Sequence, residues 1–82
     1  MTKTSVFKTT GTCSKEIRIT TDNGVILNVE FVGGCPGNLS GISQLVRGMR
    51  PEEVISRLEG VRCGLKSTSC PDQLAKALKE ML

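Results

Sequence analysis

The chain has 82 residues, a net charge of +3 and 2% aromatic residues, with no Trp, Tyr or His. That length predicts one domain, spanning 1–82, whose small core gives thin stability unless a metal or a second copy adds to it. The basic residues are spread without a dense run and there are almost no rings to stack on bases, so no nucleic-acid partner is expected.

No apolar run approaches the length of a membrane span, and Met1-Thr2-Lys3-Thr4-Ser5 leads into no signal-peptide core. The expected location is therefore cytoplasmic, with no membrane partner. In that reducing compartment, cysteines serve as metal ligands, redox groups or buried thiols more often than as permanent disulfides.

Val6 to Thr9 is a short β-prone start, and Thr10-Gly11-Thr12-Cys13-Ser14 is a turn cluster that sets Cys13 in or beside a loop. From Glu16 to Thr21, Ile17 and Ile19 alternate with Arg18 and Thr20, the period of a half-buried strand. Asp22-Asn23-Gly24 is a hairpin turn, because Asn and Gly accept positive φ cheaply. The return strand, Val25 to Val32, puts Val25, Leu27, Val29 and Phe31 on its expected core face. Gly33-Gly34 ends the strand and delivers Cys35-Pro36 to a helix start.

A first helix is expected from Pro36 or Asn38 to Arg47, with Leu39, Ile42, Leu45, Val46 and Met49 as its buried stripe and Gly48 as its stop. Gly37 and Gly41 weaken it, marking either a loose first turn or a close backbone approach. Pro51-Glu52-Glu53 opens a second helix with Val54, Ile55 and Leu58 inside, ending at Gly60. Val61 to Thr68 is a connector carrying Cys63, with Leu65 the residue expected to point inward. A third helix starts at Ser69-Cys70-Pro71-Asp72, where Ser69 and Asp72 have capping-box spacing and Cys70 competes for the cap. Leu74, Ala75, Leu78, Met81 and Leu82 repeat along its inner side. The fold class is α+β, a small antiparallel sheet of two to three strands, with its hairpin at 16–32, packed against three C-terminal helices.

The four cysteines all fall at element ends. Proline suits the first helical turn, so Cys35-Pro36 and Cys70-Pro71 each read as a cysteine at an N-cap followed by proline at N1. A thiol there sits where the helix dipole favours the thiolate, the form that binds metal or attacks disulfides. In the hairpin the exit of the return strand lies beside the entrance to the Ile17 strand, which brings Cys35 toward Cys13. Cys63 and Cys70 complete a candidate set of four sulfurs, suited to zinc first and an iron–sulfur cluster second. There is no Cys-x2-Cys knuckle, so a thiol-redox pair and ordinary packed thiols stay open as alternatives.

Without imidazole there is no Ser-His or Cys-His nucleophile pair, and Gly33-Gly34-x-x-Gly37 lacks both the Lys and the βαβ setting of a phosphate loop. The chain is not expected to be an enzyme by itself. Glu16, Asp22, Glu30 and Asp72 are expected to be solvated or capping carboxylates.

Thr68-Ser69-Cys70-Pro71-Asp72 spells the motif that names the TSCPD family, and the chain resembles its small free-standing members with four cysteines. Related domains stand at the C-terminus of some ribonucleotide reductases, mainly cobalamin-dependent ones. The resemblance therefore implies an accessory metal-binding module, with Cys13, Cys35, Cys63 and Cys70 as the positions carried over and a reductase as a candidate protein partner. More distantly the chain is similar to U-type iron–sulfur scaffold proteins, whose order of Cys, strand, turn, strand, Gly-Cys, helix, short helix and Cys is matched by Cys13, Cys35 and Cys70. Lys15 stands where those scaffolds carry aspartate and Ser69 where they carry histidine. An all-thiolate set with Cys63 fits held metal better than a transferred cluster. The expectation is a zinc-binding accessory or structural protein, against a cluster carrier or redox protein, or a metal-free module that forms a homodimer through apolar helix faces.

Overall fold

Alternation of apolar and polar residues in a stretch with Asn-Gly at its centre folds as a hairpin, and the computed structural model has one. It describes residues 2–9, 11, 14–34 and 36–81. Strand β1 is Thr2–Lys8, β2 is Ser14–Asp22 and β3 is Val25–Gly33, joined in one antiparallel sheet of order β1-β2-β3. Asp22 pairs with Val25 across Asn23 and Gly24, whose φ values of 51° and 78° are those of a two-residue primed turn.

The sheet carries two register irregularities that the alternation alone does not reveal. Thr20 faces Asn28 while Thr21 faces Ile26, so Leu27 is an extra residue and the inward parity of β3 changes there. Val29 and Phe31 keep the inner face expected of them, but on the other side of the bulge Ile26 is fully buried while Leu27 is 45% exposed and Val25 is only partly buried. At the other end Ser14 faces Gly33 and Glu16 faces Val32, leaving Lys15 unmatched. That second bulge turns Ser14 from the outer row of Glu16 and Arg18 into a buried position, 4% exposed.

Helix α1 is Pro36–Val46, α2 is Pro51–Leu58 and α3 is Cys70–Met81. The core joins Ile17, Ile19, Ile26 and Val29 of the sheet to Val46, Val54, Leu74, Ala77 and Leu78 of the helices. Leu45, expected in the stripe of α1, is 76% exposed, because α1 packs chiefly on β3 and α2 packs on α3. No neighbour covers that side of α1 among the described residues. A Cβ at Gly37 or Gly41 would meet nothing within 4 Å, so no close approach depends on either.

Between α1 and α2 the chain turns at Gly48, φ +83°, and adds itself to the edge of β3: the Gly48 N–H donates to the Ile26 carbonyl at 2.8 Å and the Ile26 N–H to the Met49 carbonyl at 2.9 Å. Among the described residues no helix is long and apolar enough to cross a membrane.

Candidate functional site

The TSCPD segment sits where the 59–69 stretch returns to start α3. Ser69 is the N-cap: its carbonyl accepts the Gln73 N–H at 2.8 Å and its hydroxyl accepts the Asp72 N–H at 3.1 Å. The expected assignment of Cys70 to the cap is corrected accordingly, since Cys70 is the first helical residue and Pro71 the second. A hydroxyl is the stronger acceptor for a backbone amide and wins the position from a thiol. Ser69 also donates its hydroxyl to the Val61 carbonyl at 2.6 Å.

Asp72 departs furthest from expectation. It is neither solvated nor a partner for the cap amide; it is 3% exposed and its carboxylate faces back toward the connector. Oδ1 accepts the Gly60 N–H at 2.7 Å, while Oδ2 accepts the Thr68 hydroxyl and lies 3.3 Å from Lys76 Nζ. The Thr68 hydrogen bond, above all, holds the Asp72 carboxyl below its ordinary value against the opposing effect of burial, with the Gly60 amide and Lys76 adding to the lowering. Gln73, itself 3% exposed, donates from Nε2 to the Thr68 hydroxyl oxygen at 3.0 Å. Thr68, Ser69 and Asp72 are thus engaged in fixing the chain, which leaves Cys70 as the one thiol of the motif.

The Cys70 side chain is buried and its Sγ lies 3.2 Å from Ser14 Oγ. Sequence reasoning missed Ser14, because only the Lys15 bulge carries it to the inner side. Cys63, in contrast, is exposed on the connector, where its carbonyl accepts the Lys66 N–H at 3.0 Å and its N–H donates to the Thr68 carbonyl at 3.2 Å. Leu65 does not point inward as expected; it stands fully exposed in this turn.

Cys63 and Cys70 line one groove, together with Arg62 of the connector and Asn38 and Leu39 from the first turn of α1. Cys13 and Cys35 lie outside the described residues. Their covalent neighbours are described: Ser14, next to Cys13, touches Cys70 and pairs with Gly33, and Pro36, next to Cys35, begins the helix whose first turn lines the groove. Among the described residues alone, no three of His, Cys, Asp and Glu gather as a metal site.

The TSCPD domain model matches residues 1–82, the whole chain. The chain belongs to the TSCPD family. No curated protein and no solved structure matches it. In this TSCPD chain the signature is therefore a structural unit as much as a chemical one: Thr68, Ser69 and Asp72 bind backbone and one another around Cys70.

Proposed function

We propose that this TSCPD protein is a metal-binding accessory protein in which Cys13, Cys35, Cys63 and Cys70 hold one zinc ion. The observation that carries this reading is the gathering at one end of the fold of Cys63, Cys70 and the chain neighbours of the other two cysteines. The donor set fits zinc, whose closed structural sites take four soft thiolates.

Two features suit Cys70 to such a role. The N-terminus of α3 favours negative charge on its sulfur, and Ser14 supplies a hydroxyl able to donate to a thiolate, the outer partner that orients a ligand. Bound zinc would supply a cross-link between the sheet and the helices of a small fold. A partner reductase is the accessory role that the family resemblance supports, and exposed Leu45 and Val61 are apolar surface that a second copy or a partner would cover.

Purified anaerobically, the protein should carry zinc and lack visible absorbance. Removing the ion with a chelator should lower the melting temperature by at least roughly 10 °C, because metal held by the folded state alone adds to stability. An unchanged melting temperature would sink the zinc reading, and a visible chromophore with acid-labile sulfide would replace it with a cluster carrier.

A further inference from the structure

One carboxylate closes both ends of the loop that carries Cys63. Gly60 stands immediately before the exposed stretch 61–67 and Thr68 immediately after it. The two oxygens of Asp72 divide between them, Oδ1 taking the Gly60 N–H and Oδ2 the Thr68 hydroxyl. Ser69 binds the carbonyl of Val61 just inside the same opening, and the Cys63 N–H crosses it to the Thr68 carbonyl. All of residues 61–67 are exposed, so none is anchored in the core and their placement depends chiefly on the closure of their ends. Compact surface loops with adjoining ends behave as units in this way.

We infer that Asp72 is a positioning residue for Cys63: by clasping Gly60 and Thr68 it fixes the connector so that Cys63 stays on the groove it shares with Cys70, and with it the affinity of the four-sulfur site. The inference rests on the metal reading above and adds to it a residue that touches no metal. It also accounts for the aspartate in the signature. Asp72 lies on α3 two residues after Cys70, so the same helix turn carries one thiol directly and sets the other through the clasp. A carboxamide does not reproduce the clasp. Asparagine keeps one acceptor for Gly60, but its Nδ2 can only reverse the bond that Thr68 now donates, and the neutral side chain gives up the charge that lies 3.3 Å from Lys76 Nζ.

The test compares wild type with Asp72→Asn, Thr68→Val and Thr68→Ser, titrating each with zinc against a chromophoric chelator and with cobalt(II) as a spectroscopic probe. Removing an outer partner that orients a ligand typically weakens metal binding about 10- to 100-fold. That loss is expected for Asp72→Asn and Thr68→Val, together with a fall in thiolate-to-cobalt charge-transfer intensity equal to the departure of one sulfur. Thr68→Ser keeps the hydroxyl and should restore both. Wild-type zinc affinity and an unchanged cobalt spectrum in Asp72→Asn would overturn the clasp.

Hydrogen exchange of the metal-free proteins separates this result from the fate of the metal reading. The Gly60 and Cys63 amides should be protected in wild type and exposed in Asp72→Asn. If wild type binds no metal, the metal reading falls with the titration, and equal exchange at those two amides in wild type and Asp72→Asn would overturn the clasp as well. If Asp72→Asn fails to fold, Thr68→Val against Thr68→Ser decides by the same readouts.

Discussion

Cys70→Ser is expected to abolish tight zinc retention while leaving α3 formed. Ser69 caps that helix, accepting the Asp72 N–H and the Gln73 N–H through its own hydroxyl and carbonyl, so residue 70 carries none of the cap. The replacement hydroxyl can keep the 3.2 Å contact with Ser14, and the change in a buried site is close to isosteric. What is lost is the soft ligand, for which an alcohol is a poor substitute at zinc. Cys70→Ala should behave alike in helix content, since the loss of about 1 kcal/mol that follows removal of a cap belongs to Ser69. Metal analysis paired with far-ultraviolet circular dichroism reads both quantities. Full zinc occupancy in Cys70→Ser would remove Cys70 from the ligand set.

Leu74→Ala is expected to give the largest loss of stability among conservative core changes. Leu74 is fully buried on α3, where it joins the sheet residues Ile17, Ile19 and Ile26 in one cluster with Val54 of α2. Truncating a buried leucine costs about 2–5 kcal/mol, from lost transfer energy and the cavity left behind. Against the roughly 0.05–0.15 kcal/mol per residue of ordinary domains, a chain of 82 residues has little to spare. The melting temperature should fall by roughly 10–30 °C. Leu45→Ala is the matched control: the same chemical change at a residue 76% exposed should stay within about 0.5 kcal/mol of wild type. Equal shifts for the two variants would show that α1 buries the side its periodicity suggests, contrary to the packing described.

The contrast between these leucines shows where local pattern is enough and where it stops. The hairpin was legible because Asn23-Gly24 and the flanking alternation are local signals, and α3 because Leu74 and Leu78 repeat at helical spacing after a capping serine. The bulges at Lys15 and Leu27 are properties of strand pairing, so alternation within one strand could not give the inward turn of Ser14 or the exchange of Leu27 for Ile26. β1 begins at Thr2, ahead of its first apolar residue, because pairing with β2 up to Asp22 extends it through a polar stretch.

At the site, the ligand candidates could be named from their chemistry, but the partners of Asp72 could not. Gly60 lies 12 residues away from it, and a carboxylate at a helix start reads first as a capping group. Leu65 is a like case: hydropathy assigns a lone leucine to the core, whereas the residue sits in the exposed 61–67 loop and the core is built without it.

The central claim is that the four cysteines hold a metal ion, and native mass spectrometry with elemental analysis of the protein purified under reducing conditions tests it most directly. The expected result is a chain mass raised by one zinc ion, about one zinc per chain by elemental analysis, and loss of that mass increment in Cys70→Ser. A wild-type chain at its bare mass, with no metal by elemental analysis, would contradict it.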